Sequence, residues 1–337
     1  MIKHILAIIA VLVLCLLFTC TWLFVDFQRK QASPMAIESA DVITISPGTN
    51  LRAISEEMVS RGWMSRPAYF IAEARLRGLA GSVKSGEYLV PPYMSPREFL
   101  ELIVSGKVIQ KSLTIPEGWN FRQVIAAIHN NPDLVSTIVD TDPAQVMASL
   151  GQPGEHPEGR FFPDTYLFPA GTTDMEFLSR AYRQMQQVLD EEWQARIMGL
   201  PYDDPYDALI MASLIEKETA VPGERSLIAG VFVRRLQSGM KLQTDPTVIY
   251  AMGQEFDGDI RRRDLDIDSP YNTYRYRGLP PTPIAAPGRE SIRAALQPDM
   301  ESNALYFVAM GDGRHYFSET LEEHNRAVSR YQLNRDN

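Results

Sequence analysis

The chain has 337 residues, of which 45% are apolar and 22% charged, a composition that excludes a mostly disordered or collagen-like protein. Its net charge of −9 argues against a general nucleic-acid binder, which normally presents a basic face. The two cysteines, Cys15 and Cys20, cannot form a disulfide framework or, by themselves, a structural zinc site. The length predicts about two domains.

The amino-terminal segment predicts a membrane anchor within residues 1–30. Ile5–Val25 is uncharged and almost wholly apolar, and as a helix it would extend about 30 Å, the thickness of the hydrocarbon core of a bilayer. The alternative is a cleaved signal peptide, but no small-residue cleavage site follows, and charged residues begin at Asp26. Basic residues flank the segment on both sides, so the charge pattern leaves its orientation open.

The next part of the chain predicts a tether and a small module. Residues 31–40 are polar and contain a proline, which is typical of a tether. Residues 41–106 predict an α/β module, in which a strand and a Pro-Gly turn lead into a helix and a second strand precedes a helix capped by Ser95. The order of elements resembles a LysM-type module, which binds N-acetylglucosamine glycans. The alternative is a packing module without sugar affinity, since fold alone does not fix function.

Two segments of the chain share a strand–turn–helix pattern. Ile43–Ile54 and Leu113–Val124 are identical at five of twelve paired positions, among them the glycine of the turn and the asparagine before the helix. We expect the same local structure in both, although short turn-rich segments can also be alike by chance.

Residues 107–337 predict a larger domain. Apolar periodicity and turn residues indicate three helices, two strands and a carboxy-terminal helix, at about 175–198, 205–220, 223–238, 305–309, 315–317 and 319–333. The whole chain is therefore predicted to be α+β, with an N-terminal transmembrane helix, a small LysM-like α/β module and a larger α+β domain.

Two glutamates end the most apolar of these helices. Glu218 follows Leu214 and Ile215 on the bulkiest apolar stripe, whereas Glu216 points about 200° away from it. Partial burial and the negative end of the helix dipole both raise the pKa of a carboxyl group. A carboxyl group that stays protonated near neutral pH suits a general acid. The alternative is that both glutamates are exposed charges at a helix end.

Three later loops, at 239–250, 270–274 and 278–284, are rich in amide, hydroxyl and aromatic groups. Such groups suit a sugar-binding groove, because sugar rings stack on aromatic faces and amides bind hydroxyl and N-acetyl groups. Each loop alone is also compatible with a turn stiffened by proline. The candidate substrate-binding residues are Gln243, Asp245, Tyr250, Tyr271, Asn272, Thr273 and Tyr274.

Several of these runs resemble the motifs of the MltG (YceG-like) family of endolytic murein transglycosylases. They are ASLIEKET at 212–219, LQTDPTVIY at 242–250, YNTY at 271–274, GLPP at 278–281 and EGRFFPDTY at 158–166. The resemblance covers nearly the whole chain and implies that Glu218 is the catalytic residue. It further implies internal cleavage of peptidoglycan strands between N-acetylmuramic acid and N-acetylglucosamine, leaving 1,6-anhydro ends. Pro222-Gly223 departs from the expected pattern but leaves the catalytic motif intact.

The resemblance also implies a location and partners. The chain would be a single-pass protein of a bacterial inner membrane with its catalytic body in the periplasm. It would act on glycan strands and work with peptidoglycan synthases to terminate nascent strands. No cofactor or metal is expected, because the five histidines show no ligand spacing.

The number of carboxyl groups separates the possible chemistries. A lytic transglycosylase needs one, which protonates the glycosidic oxygen and then takes a proton from the sugar's own 6-hydroxyl. A peptidoglycan glycan hydrolase generally needs a second carboxylate, for which Glu216 and Asp245 are candidates. A further alternative is a non-catalytic, membrane-tethered scaffold that binds glycan.

Overall fold

The computed structural model describes residues 2–333. The chain divides into two compact units, the first formed by Met1–Lys111 with Leu167–Gly171 and the second by Ser112–Tyr166 with Thr172–Asn337. Helices and short two-stranded sheets make up both units, which confirms the predicted α+β fold class. The domain boundaries set from the sequence stay predictions.

The first helix, α1 (Ile2–Ala32), contains the segment expected to be an anchor. The large apolar side chains between Ile5 and Val25 are exposed, and the helix is long and apolar enough to cross a membrane. Soluble proteins rarely expose an apolar surface of this extent, so we expect a lipid bilayer to cover it.

Residues 31–40 do not form the predicted free tether. Met35 and Ile37 are buried in the core of the small module, and the Met35 amide donates to the Met94 carbonyl oxygen at 2.8 Å. The tether prediction was wrong because two apolar side chains at alternating positions of an extended segment can point to one face, which the polar composition of the segment conceals.

The small module consists of β1 (Asp41–Ile45), α2 (Leu51–Ser60), α3 (Pro67–Leu76), β2 (Gly86–Val90) and α4 (Pro96–Ser105). β1 pairs antiparallel with β2, and Ile43 lies opposite Tyr88. Met58, Phe70 and Phe99 are fully buried in its core. The two strands, the helix after the turn and the helix capped by Ser95 agree with the sequence expectation, while the likeness to a LysM module stays a prediction.

The remaining helices and strands follow in chain order. They are β3 (Gln110–Thr114), α5 (Phe121–His129), α6 (Pro143–Ser149), β4 (Thr165–Pro169), α7 (Asp174–Gln194), α8 (Pro205–Glu218), α9 (Arg225–Gln237), α10 (Asp245–Met252), α11 (Arg289–Leu296), β5 (Tyr306–Ala309), β6 (His315–Ser318) and α12 (Leu321–Val328). β3 pairs with β4, and β5 pairs antiparallel with β6. The three long helices expected from periodicity correspond to α7, α8 and α9.

The two similar segments have the same local structure. Asn50 caps α2 and Asn120 caps α5, each side chain accepting from the amide three residues later, at 3.0 and 2.9 Å. Gly48 and Gly118 both have left-handed backbones, with φ of 81° and 76°. The shared sequence therefore encodes a strand, a glycine turn and a capped helix.

α8 is the central helix of the second unit. Every side chain from Ala208 to Ile215 is buried, and the helix packs against α7, α9, α10 and α11. The sequence pattern, in which one stripe is the bulkiest, therefore understates the burial, because every face of α8 is covered over two turns. Beyond this covered stretch Glu216 and Glu218 are partly buried and Lys217 is exposed, so the last turn of α8 reaches solvent on one side.

α9 requires a glycine where it meets the loop after α11. A Cβ on Gly230 would lie 2.3 Å from the carbonyl oxygen of Asp299, which also accepts from Arg234 at 2.8 Å. We predict that Gly230→Ala lowers the free energy of unfolding by ~1–3 kcal/mol, because overpacking outweighs the gain in helix propensity. Gly223→Ala is the matched control, since its Cβ would meet no atom within 4 Å. Denaturant unfolding of both variants in detergent measures the difference, and equal stabilities would contradict the close approach.

Candidate active site

Glu218 is the last residue of α8 and lines a cavity of about 460 Å³. The chain leaves the helix at Thr219, which is extended (φ −142°, ψ 136°) and buried. The Glu218 side chain is partly buried at the cavity wall. A carboxyl group in this setting is desolvated and still able to exchange a proton with a ligand.

The cavity draws its polar groups from distant parts of the second unit. Its wall contains α8, α9, the start of α10, β5, β6 and α12. The polar lining residues are Glu218, Arg235, Gln243, Asp245, Tyr274, Tyr306, His315, His324, Asn325 and Gln332. Gln243, Asp245 and Tyr274 are thus the three predicted substrate-binding residues that the structure places beside Glu218.

Burial raises the pKa of Glu218 to about 7. The hydrogen bond from Thr244 and the charge of Arg235 lower this pKa, whereas the charge of Asp245 raises it. The Thr244 hydroxyl donates to Oε1 of Glu218, which leaves Oε2 as the oxygen that can carry the proton. Near neutral pH the group can therefore serve as an acid and, once ionised, as a base.

A network of threonines positions the Thr244 hydroxyl. The Thr244 amide donates to the Thr273 hydroxyl at 3.1 Å, and the Thr247 hydroxyl donates to the Thr244 carbonyl oxygen at 2.7 Å. Gln243 has a left-handed backbone with φ of 52°, an uncommon conformation for a residue with a side chain. Thr273, a predicted substrate-binding residue, is buried and supports the loop that carries Thr244.

Asp245 and Tyr274 form a second polar pair in the cavity. The Tyr274 hydroxyl donates to Oδ1 of Asp245 at 2.6 Å. Burial, followed by this hydrogen bond, raises the pKa of Tyr274, so the phenol stays protonated. Among the described residues, Asp245 is the other acidic side chain that lines the cavity of Glu218.

Glu216 has a different task. One of its carboxylate oxygens, Oε2, accepts from the Gly288 amide at 3.0 Å and from the Ser291 hydroxyl at 2.7 Å, both at the start of α11. A carboxylate at a helix N-terminus satisfies amides that lack helical partners and interacts favourably with the dipole. Glu216 is not among the cavity residues, so the two glutamates diverge in role as well as direction.

The other predicted substrate-binding residues lie outside this cavity. Asn272 is fully buried, and its amide donates to the carbonyl oxygens of Leu265 and Ile267, both at 2.9 Å. The rings of Tyr250 and Tyr271 pack with centroids 4.8 Å apart. In this arrangement Asn272 shapes its own loop. Substrate contact by these residues stays a prediction.

Glu158 is a second carboxyl group whose pKa burial raises to about 7. Its Oε1 accepts from the Phe121 amide at 2.8 Å and its Oε2 accepts from the Tyr250 hydroxyl at 2.8 Å. Both oxygens are therefore engaged within the protein, and Glu158 is 4% exposed. This internal bonding distinguishes it from Glu218.

Six of the polar cavity residues were not predicted from the sequence, because no local motif marks them: Arg235, Tyr306, His315, His324, Asn325 and Gln332. Arg235 on α9 donates to the Leu242 carbonyl oxygen at 2.6 Å and so fixes the loop before Thr244. Nδ1 of His315 lies 2.7 Å from Oε2 of Glu224, and Tyr306 is on β5. Thr244 could have been predicted, since it stands between two predicted residues of one motif.

No group of three or more His, Cys, Asp and Glu side chains suited to hold a metal ion occurs in the part of the chain that the structure describes. The polar groups that line the cavity of Glu218 are carboxyl, amide, phenol, imidazole and guanidinium groups. Most of these groups can exchange hydrogen bonds with the hydroxyl and amide groups of a ligand.

Comparisons with known proteins agree on one family. The model of the YceG-like family matches residues 43–330. An endolytic murein transglycosylase of Bacillus subtilis (strain 168) is 33% identical over 306 residues, covering 86% of this chain and 84% of that protein. One from Streptococcus pneumoniae serotype 2 is 27% identical over 336 residues, and the match covers 88% of this chain and 60% of that longer protein.

A solved structure is also similar. The crystal structure of a yceG-like protein from Listeria monocytogenes superposes with a TM-score of 0.53 at 29% sequence identity, covering 86% of this chain and 99% of that one. The family match extends over both the small module and the unit that contains Glu218. The chain belongs to the YceG-like family.

Proposed function

We propose that the protein is an endolytic murein transglycosylase, a lyase that cuts peptidoglycan glycan strands internally. The observation that carries the proposal is Glu218, a cavity-facing carboxyl group whose pKa is raised to about 7 and whose Oε1 is held by Thr244. The names of the Bacillus and Streptococcus relatives support the same reaction.

In the proposed reaction Glu218 acts twice. Its neutral form gives the proton on Oε2 to the glycosidic oxygen between N-acetylmuramic acid and N-acetylglucosamine. The bond from this oxygen to the anomeric carbon of the muramic acid then breaks. The carboxylate then takes the proton of the muramic acid 6-hydroxyl as this oxygen bonds to the anomeric carbon, which leaves a 1,6-anhydro ring. Because the nucleophile belongs to the substrate, no water has to be positioned.

The rest of the cavity supports a sugar substrate. Tyr274 and Tyr306 offer aromatic surfaces, and Gln243 and Asn325 offer amides that can bind hydroxyl and N-acetyl groups. The Thr244 hydroxyl bond stabilises the carboxylate that forms after the first proton transfer.

The cellular setting is part of the proposal. We infer that α1 anchors the chain in a bacterial inner membrane with its catalytic body in the periplasm. There it would meet growing strands, coupled to peptidoglycan synthases, and terminate their elongation. The small module would contribute glycan binding if its likeness to LysM extends to function.

The second candidate function is a peptidoglycan glycan hydrolase, and Asp245 is the residue that favours it. It is a carboxylate in the same cavity as Glu218, whereas Glu216, the other candidate, bonds the start of α11. Mass analysis of digested glycan ends separates the reactions, because a transglycosylase leaves anhydro ends and a hydrolase leaves reducing ends. A scaffold without catalysis leaves the strands intact.

We predict that Glu218→Gln abolishes cleavage while the fold and glycan binding persist. The amide keeps the shape and still accepts from Thr244 but cannot donate and recover a proton. The loss should reach the upper end of the ~10²–10⁴-fold typical of a positioned acid/base, because no second group takes over. The measurement is the rate of anhydro-muropeptide release.

Glu216→Gln is the matched control. Its amide oxygen can still accept from Gly288 and Ser291, so activity should fall by much less. An active Glu218→Gln together with an inactive Glu216→Gln would overturn the assignment.

The pH profile should report Glu218 directly. The proton donor is present below its pKa and absent above it, so kcat/KM should fall as the pH rises through about 7. Thr244→Val removes the hydrogen bond that lowers this pKa, so the falling limb should move to higher pH. Asp245→Asn removes the charge that raises it, so the limb should move to lower pH.

The opposite directions of these two shifts are the test. Under the lone-carboxylate reaction Asp245→Asn stays active on the acid side of its shifted limb. Loss of cleavage by Asp245→Asn at every pH, with reducing ends from the wild type, would instead identify Asp245 as the second carboxylate of a hydrolase.

A further inference from the structure

A second large cavity, of about 600 Å³, lies where the carboxy-terminal end of α1 meets the small module. Its wall is formed by Lys30–Ala36 except Ala32, by the end of α2 with the following loop to Arg66, and by Tyr69 and Pro96. All of these residues belong to the first unit. The cavity is separate from the site of Glu218, and the proposed reaction does not use it.

Gln31 leaves an unmet hydrogen-bond acceptor in this wall. The residue is 1% exposed, and its Oε1 has no hydrogen-bond partner among residues 2–333. Buried polar atoms in folded proteins are nearly always paired, so an unpaired one that lines a cavity calls for an outside donor. Oε1 itself is closed to solvent, so an N–H or O–H group of a ligand can pair with it once the Gln31 side chain rotates toward the cavity.

Lys30 supplies a positive charge to the same cavity wall. Its side chain is exposed, lines the cavity and has no ion-pair partner in the described part of the chain. The other cation in the wall, Arg66, is already paired with Asp26 and with the Tyr69 hydroxyl. Lys30 is therefore the group available to an anion.

The apolar part of the wall completes an amphipathic site. Met35, Val59, Trp63 and Met64 line the same cavity as Lys30. A ligand that fits this wall has an anionic group, a nearby hydrogen-bond donor and an apolar portion.

The position of the cavity along α1 identifies a source for such a ligand. If Ile5–Val25 spans the hydrocarbon core, Lys30 lies five residues further, about 7.5 Å along the helix axis. The headgroup layer adds about 5–7 Å on each side of the hydrocarbon core. Lys30 and Gln31 are therefore at the outer edge of that layer, within reach of the phosphates.

We propose that this cavity binds the headgroup of a membrane phospholipid that carries a hydrogen-bond donor, such as ethanolamine or glycerol. The phosphate contacts the Lys30 ammonium, the donor contacts Oε1 of Gln31, and the glycerol backbone lies against Met64 and Trp63. A bound headgroup would hold the small module at the membrane surface beside α1.

The headgroup chemistry provides a matched control. Choline has the charge of ethanolamine but no N–H, so phosphatidylcholine can contact Lys30 and cannot satisfy Gln31. Phosphatidylethanolamine and phosphatidylglycerol can do both. The experiment is native mass spectrometry of the full-length protein in detergent with each of the three lipids titrated separately.

We expect one molecule of phosphatidylethanolamine or phosphatidylglycerol to remain bound at concentrations where phosphatidylcholine does not. Gln31→Leu and Lys30→Gln should each weaken this binding by about fivefold or more, the scale of one lost hydrogen bond or charge contact. Lys107→Gln, an exposed lysine of the same unit outside the cavity wall, should have no effect.

Lys30→Gln protects the test against misfolding, because its exposed side chain makes no contribution to the core. Cleavage of dissolved glycan by each variant should equal that of the wild type, which separates this inference from the proposed reaction. Equal retention of all three lipids, or wild-type lipid binding by both Lys30→Gln and Gln31→Leu, would overturn it.

Discussion

The burial of α8 is the constraint on which the site depends. Because its side chains from Ala208 to Ile215 are covered on every face, the helix is held in one position in the unit. The position of Glu218, its last residue, is fixed with it. Ser213 adds a polar tie within this apolar surrounding, since its hydroxyl accepts from the Ile284 amide at 3.0 Å. The same burial that fixes Glu218 also removes water from its carboxyl group. Position and raised pKa therefore share one physical cause.

The loop that carries Thr244 is held by hydrogen bonds. Thr244, Thr247 and Thr273 satisfy one another through hydroxyl and backbone groups, so the hydroxyl that reaches Glu218 belongs to a connected network. Arg235 joins this loop to the residue before β5 by donating to the carbonyl oxygens of Leu242 and Leu305. A site of this kind is preorganised, because the Thr244 hydroxyl points at the carboxyl group before any ligand enters.

In the first unit, side-chain hydrogen bonds hold the end of α1 against the small module. Asp26 on α1 accepts from Arg66, and Oε1 of Gln28 accepts from Arg97 at 2.8 Å, so the helix end is fastened to α4 and to the loop before α3. Met35 then carries the chain into the core of the module. The anchor helix and the module thus form one continuous packed unit in place of a helix and a flexible linker.

The features that could be predicted from the amino-acid sequence are those that local interactions control. The length of the apolar segment predicts α1, and apolar periodicity with capping residues such as Asn50 and Ser95 predicts the other helices. The 3.6-residue repeat of a helix shows that Glu218 and Glu216 point in different directions. The contacts that those residues make depend on tertiary packing. Arg235 lines the cavity from a different helix, α9. Asn272 donates to backbone carbonyl oxygens of its own loop, and Met35, in the segment predicted to be a tether, is buried in the core of the small module. Local signals act over a few residues, whereas these contacts join segments far apart in the chain. Which segments meet follows from how the whole core packs, and no short pattern encodes that.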